Sequence, residues 1–262
     1  MKIGPIDSHA HLGHPHFDPD RPEVISRARE NGLQAILTLG TEPEEFPKEI
    51  GIAREYPGWI YLGMGYHPHI AKDITDTHYE MLRELLLSNK EVLALGEIGL
   101  DFYYKHSDTK SQEGVFREQL RLASRLSLPV VIHCRDAYPQ MIRILKSETV
   151  SPEKVLIHCF SGNTEEAEDL LSWGACLSFA GPVTFPKTEG LSRVVHMTPL
   201  DRIMAETDAP YLSPQRFRGK RNEPLYVTEV YEEMARIKEI RIEDLIEKIS
   251  LNFSRFFGIS LE

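Results

Sequence analysis

Histidines and carboxylates end a series of short apolar runs along this chain, and together they are the side chains of a metal centre. Ile6-Asp7-Ser8-His9-Ala10-His11 sets two imidazoles two residues apart. In an extended segment alternate side chains share a face, so His9 and His11 can grip one ion while Ala10 points away. Further on, Glu97 follows Val92-Leu93-Ala94-Leu95-Gly96, His133 follows Val130-Val131-Ile132, His158 follows Val155-Leu156-Ile157, and Asp208 comes soon after Ile203-Met204-Ala205. A polar or charged group directly after buried apolar ones is costly unless something pairs with it, and a metal pairs with several at once. Four imidazoles and two carboxylates exceed what one tetrahedral zinc needs. The mixture suits two divalent cations, magnesium, manganese or zinc. His9, His11 and Asp208 are therefore assigned to one ion and His133 and His158 to a second, with Glu97 bridging. Two ions ~3.5–4 Å apart can hold a hydroxide and polarise a phosphoryl oxygen, with Glu97 and Asp208 both serving the chemistry and Asp208 taking or relaying the proton.

Other residues fall in place around this set. Glu206 lies two residues before Asp208, on the same face of an extended segment, where it can orient a metal ligand. His67, in Gly65-Tyr66-His67-Pro68, follows a strand and can bind a substrate phosphate or give a proton to a leaving oxygen. Cys134 and Cys159 stand beside ligands, but alternation turns them away, so they read as buried core thiols. His14, His16, His69, His78, His106 and His196 receive no role. The concentrated basic stretch Arg216-Phe217-Arg218-Gly219-Lys220-Arg221 offers Arg218, Lys220 and Arg221 to a nucleic-acid backbone and Phe217 to a base.

Such scattered residues meet only if the fold gathers them. Runs rich in β-branched residues recur at Ile3 to Ser8, Ala35 to Leu39, Ile60 to Gly65, Val92 to Glu97, Val130 to Cys134, Val155 to Cys159, Ala175 to Ala180 and Ile203 to Glu206. Helical periodicity fills the intervals, as in Gln112 to Leu126, and Asp76 and Thr77 offer an N-cap. Two further helical stretches, Leu225 to Ile237 and Ile242 to Phe257, follow the last strand and would close an outer ring. Eight strands in strict alternation with helices predict an α/β fold, a single (β/α)8 TIM barrel over residues 1–262, ahead of an open doubly wound sheet. In a barrel all the strand C-termini surround one mouth.

The composition agrees with this reading. At 262 residues the chain has the length of one barrel, and 41% hydrophobic residues can fill its core. A net charge of -10 excludes a protein that coats nucleic acid through its overall field, so a polyanion must meet a local patch or bound cations. Three cysteines are too few for a disulfide framework and suggest a reducing compartment. With no basic leader and no run of ~18 apolar residues, the expectation is a cytoplasmic monomer without a membrane partner.

The motifs Asp7-Ser8-His9-Ala10-His11, Gly65-Tyr66-His67-Pro68, Gly96-Glu97-Ile98-Gly99-Leu100-Asp101-Phe102-Tyr103, Val131-Ile132-His133-Cys134-Arg135, Ile157-His158-Cys159-Phe160-Ser161-Gly162, Glu206-Thr207-Asp208-Ala209-Pro210-Tyr211-Leu212 and Arg218-Gly219-Lys220-Arg221-Asn222-Glu223-Pro224 together resemble the TatD family of metal-dependent deoxyribonucleases. The resemblance spans the chain. It implies a metal-dependent hydrolase barrel that binds divalent cations through His9, His11, Glu97, His133, His158 and Asp208. It also implies cleavage of phosphodiester bonds, as a 3′ to 5′ exonuclease on single-stranded DNA or 3′ ends. Two other readings compete: an amide or ester hydrolase on the same barrel, such as an aminoacyl-ester deacylase, and a metal-dependent nucleic-acid-binding scaffold without catalysis.

Overall fold

The computed structural model describes residues 3–261. Strands and helices alternate as β1 (Ile6–Ala10), α1 (Arg21–Glu30), β2 (Ala35–Gly40), α2 (Phe46–Glu55), β3 (Ile60–Met64), α3 (Asp76–Ser88), β4 (Val92–Asp101), α4 (Thr109–Leu126), β5 (Val130–Arg135), α5 (Tyr138–Ser147), β6 (Val155–Ile157), α6 (Thr164–Trp173), β7 (Cys176–Phe179), α7 (Glu189–Met197), β8 (Ile203–Ala205), α8 (Val227–Lys238) and α9 (Ile242–Phe257). Each strand pairs in parallel with the next, in the order β1 to β8 without reversal, which a doubly wound sheet would require. The ends meet: Ala10 bridges Ala209 in parallel, the His11 N–H donates to the Ala209 carbonyl at 2.8 Å, and the Asp208 N–H donates to the His9 carbonyl at 2.9 Å. The sheet is a barrel. Strands covered on both faces read as unbroken apolar runs, which is why they were visible in the sequence.

Two cores result. The outer one lies between sheet and helices, and the inner one fills the barrel with Ile6, Leu37, Leu39, Ala94, Val131, Leu156, Cys176 and Met204. Helix α9 serves both. Its Leu245 and Ile249 join the outer layer, whereas Phe253, Phe256 and Phe257 pack on the inner core. Asn252 donates to the carbonyls of Leu200 and Ile203, each at 2.8 Å, which fixes this end of α9 under the start of β8. The phenylalanines thus floor the barrel at its N-terminal end and leave the opposite mouth open. Among the described residues no helix is long and apolar enough to cross a membrane.

Several element boundaries differ from the sequence expectation, and two of the differences build the site. Strand β1 starts at Ile6 rather than Ile3 and runs through His9, and β4 continues past Glu97 to Asp101. Both carry a bulge: Asp7 faces Ile36 while Ala10 faces Thr38, and Leu95 faces Val130 while Ile98 faces Ile132. An extra residue resets the alternation. Ile6 and His9, three apart, therefore both turn inward, and so do Ala94 and Glu97. Glycine is required in the second bulge, since a Cβ on Gly96 would lie 2.7 Å from both the Cβ and the carbonyl oxygen of Val131. At the other boundaries, α4 starts at Thr109, and Thr75 takes the N-cap of α3, its N–H donating to His78 Nδ1 at 3.1 Å.

Candidate metal centre

Glu97 is buried at the barrel mouth with its two oxygens facing different partners. Oε2 lies 3.4 Å from His9 Nε2 and 3.6 Å from His11 Nε2. Asp208 Oδ1 is 3.7 and 3.3 Å from the same two nitrogens, which are themselves 3.2 Å apart. Oε1 lies 2.8 Å from both His133 Nδ1 and His158 Nε2, which are 3.4 Å from each other. All six side chains expected to meet do so.

The first group has the dimensions of a coordination shell. Donors placed tetrahedrally ~2.0–2.2 Å from an ion stand roughly 3.3–3.6 Å from one another. Asp208 Oδ1 and the two imidazole nitrogens that face each other, 3.2, 3.3 and 3.7 Å apart, fit a divalent cation better than a hydrogen-bond network. The described residues contain three groups able to hold an ion: His9 with His11 and Asp208, His67 with Glu97 and His133, and His9 with His158 and Glu206.

Protons do the neutralising when no ion is present. Burial would raise Glu97 and Asp208, but the imidazoles outweigh it and hold both carboxyls below their ordinary range, Glu97 far below. Burial likewise opposes charge on the histidines. The Asp208 hydrogen bond and the Glu97 charge nevertheless push His11 up to about 9, and the carboxylates also raise His133 and His158. Burial and the neighbouring His158 keep His9 low, and its buried Nδ1 has no hydrogen-bond partner among the described residues.

An outer ring of carboxyls aims the inner groups. His158 turns Nδ1 to Glu206 Oε1 at 3.2 Å, and the other Glu206 oxygen accepts from Ser178 Oγ. Asp101 lies in the Gly96-to-Tyr103 motif, which by itself assigns it no role. It is buried, its Oδ2 lies 3.2 Å from His133 Nε2 and 2.9 Å from His69 Nε2, and its Oδ1 accepts the N–H groups of Tyr103 and Tyr104. His69, also left without a role, thereby borders the site. Asp7 accepts from the Thr207 N–H at 2.8 Å and bonds its hydroxyl at 2.5 Å, pinning the segment that carries Asp208 to β1. Asp208 itself has φ 57, a left-handed conformation that Asp tolerates better than most residues.

Other expected residues have different surroundings. His67 lies within reach of the cluster, Nε2 3.6 Å from Glu97 Oε1, and its Nδ1 accepts the His69 N–H at 3.2 Å. Burial, reinforced by His133 and His69, holds it well below the ordinary histidine range. With Nδ1 engaged by the His69 N–H, its Nε2 faces Glu97 and the cavity. Arg221, expected to meet phosphate, is held by Asp20 at 2.6 and 2.7 Å and by Glu223 at 3.1 Å, and stacks over Phe17. Its charge is neutralised within the fold. Phe217 lies flat on Tyr226 at 3.8 Å, which covers one face of its ring, and Arg218 sits over Phe185. None of Arg218, Lys220 and Arg221 lines the cavities at the cluster. Cys134 is buried as expected, though it borders the cavity beside His133, and Cys159, which follows the end of β6 with φ 44 where strand alternation no longer applies, lines the same cavity beside His158 and Asp208.

A parallel eight-stranded barrel whose C-terminal mouth gathers imidazoles around a central carboxylate is the architecture of a metal-dependent hydrolase. The chain belongs to the TatD related DNase family, whose model matches residues 6–258. It is 38% identical over 255 residues to the uncharacterized metal-dependent hydrolase YabD of Bacillus subtilis, covering 97% of this chain and 99% of that protein. It is 34% identical over 248 residues to the 3′-5′ ssDNA/RNA exonuclease TatD of Erwinia tasmaniensis, covering 93% and 95%. The crystal structure of the TatD homologue YJJV from Escherichia coli superposes with a TM-score of 0.92 at 28% identity, covering 99% of this chain and 100% of that one.

Proposed function

We propose that the protein is a nuclease that removes nucleotides from the 3′ end of single-stranded DNA by metal-dependent hydrolysis of the terminal phosphodiester. One observation carries the reading: Glu97 turns one oxygen to His9 and His11 and the other to His133 and His158. His9, His11 and Asp208 would hold one divalent ion, His133 and His158 the other, with Glu97 shared. Ions so held supply the positive charge and the activated water that phosphodiester hydrolysis needs. Asp208, whose side chain is 13% exposed, reaches the cavity and accepts the proton of the attacking water. His67, whose Nε2 lies 3.6 Å from Glu97, binds a substrate phosphate oxygen or gives a proton to the departing oxygen. Glu206 and Asp101 keep His158 and His133 turned toward Glu97. All six residues meet at the mouth of one barrel, so a monomer of one domain would hold a complete site, and the three free cysteines support a cytoplasmic setting.

The test uses chelator-stripped protein given magnesium, manganese or zinc and a single-stranded oligonucleotide labelled at its 5′ end. A ladder shortening from the 3′ end is expected, and Asp208→Asn should lower the rate by at least ~10³ while its circular dichroism and melting stay near wild type. Wild-type rates in that variant, or no cleavage with any of the ions while an ester panel is hydrolysed, would refute the reading.

A further inference from the structure

We propose that the nucleic-acid chain crosses the cluster in a single orientation. Its phosphate-bearing body lies against Arg135, and its terminal nucleoside, bearing no further phosphate, sits in a recess walled by Glu42, Glu44 and Glu45. This rests on the nuclease reading above and adds to it the orientation and end chemistry of the substrate.

Two cavities flank the cluster and share His69 and Tyr211. The recess measures about 470 Å³ and the other about 770 Å³, both in the range that takes an organic ligand. Their charges differ. In the recess, Lys48 is engaged by Asp18 at 2.8 Å and by the Gly13 carbonyl at 3.0 Å, while Glu45 accepts from Thr41. Glu42 and Glu44 have no cationic partner among the described residues, so the wall keeps an uncompensated negative charge.

On the other side stands Arg135, exposed and without a carboxylate partner among the described residues. Its guanidinium carbon lies 4.1 and 4.8 Å from the ring centroids of Tyr103 and Tyr104, which hold it over the mouth. That ledge is tied to the cluster, because Asp101 accepts the N–H groups of both tyrosines with one oxygen and meets His133 with the other. Asp136 is the one carboxylate on this side outside the cluster, and it also borders a separate cavity beside Tyr138. Leu212 and Tyr211, 39% and 47% exposed, offer surface to bases.

A polynucleotide carries a negative charge at every linkage, so only its terminus can present a nucleoside with no phosphate beyond it. That terminus is what the acidic recess admits. Like-charge apposition rejects the same end when phosphorylated. Arg135 thus offers at the mouth the phosphate contact expected of Arg218, Lys220 and Arg221.

The experiment compares manganese-loaded protein on one oligonucleotide ending in a 3′-hydroxyl or a 3′-phosphate, and on bis(p-nitrophenyl) phosphate as a minimal diester. Wild type should trim the hydroxyl end at least about tenfold faster than the phosphate end, and the surface double variant E42Q/E44Q should narrow that gap severalfold. R135A should lose at least about tenfold more kcat/KM on the oligonucleotide than on the minimal diester, chiefly through KM and with a shallower salt dependence, and R135K should recover part of it. Equal rates on the two ends, an unchanged gap in the double variant, or equal losses in R135A would overturn the inference while leaving the nuclease reading intact. Hydrolysis of the minimal diester with no trimming of either oligonucleotide would overturn both.

Discussion

Replacing Glu206 by Gln should weaken metal binding without touching the ion. Glu206 is fully buried, with Oε1 3.2 Å from His158 Nδ1 and its other oxygen accepting from Ser178 Oγ. Gln has the same shape, and the Ser178 hydroxyl can rotate to accept from its amide, so packing and hydrogen-bond count survive. What goes is the charge that raises the basicity of His158 and holds Nε2 on Glu97 at 2.8 Å. Losing such an outer carboxylate costs roughly 10–100-fold in metal affinity, or about 1.4–2.7 kcal/mol. The assay is competition between chelator-stripped protein and a chromophoric zinc indicator. A parallel melting experiment should show a smaller metal-induced rise in Tm, because an ion bound only by the folded chain stabilises it in proportion to its affinity. The weaker-binding equivalent should be the one that involves His158. Affinities within twofold of wild type at both sites would refute the orienting role.

Three further outcomes follow from burial and charge. Glu49 is buried, and desolvation pushes its carboxyl up to about 7 against the bonds from Thr38 and Gly13, so its stabilising contribution is full below about pH 4.5 and is lost as pH rises through 7. The melting advantage of Glu49→Gln over wild type should therefore widen between pH 5 and pH 8.5, by on the order of 3 kcal/mol, and a constant difference would contradict it. His11, raised to about 9, gives the metal-free protein stability that is complete below about pH 6.5 and disappears as pH climbs past 9. Tm of the stripped protein should fall over that window more than Tm of the loaded protein, as paired scans would show. Phe253→Ala leaves a void in the barrel floor and should cost ~3–5 kcal/mol in urea unfolding while kcat stays close to wild type, since the mouth is at the other end.

The strands and the six cluster residues were legible because a parallel barrel buries both faces of its sheet, so each polar residue at its mouth follows an apolar run. Side-chain direction was less so. The i, i+2 rule is right for His9 and His11 but fails between Ile6 and His9, because the bulge opposite Ile36 and Thr38 is a property of two strands and of neither alone. The same device in β4 hid Asp101, which ends a strand expected to stop at Glu97. Arg221 misled for another reason. Composition exposes a basic stretch but not Asp20, which meets it across the fold. The apolar stripe of α9 was visible, whereas its division between the outer layer and the barrel floor depends on where the helix crosses the sheet.

Charge balance explains why the centre has this composition. Glu97, Asp101, Glu206 and Asp208 bring four negative charges into one buried region. Protons on imidazoles offset these carboxylates only in part, because burial and His158 keep His9 low while its Nε2 faces that of His11 at 3.2 Å. Two divalent ions would bring four positive charges, leave every imidazole neutral, and make the facing nitrogens part of a coordination shell. A single ion would leave two buried negative charges beside a substrate that is itself an anion. The outer carboxylates thus aim the histidines and also set the number of cations at which a phosphodiester can approach the mouth of an acidic protein.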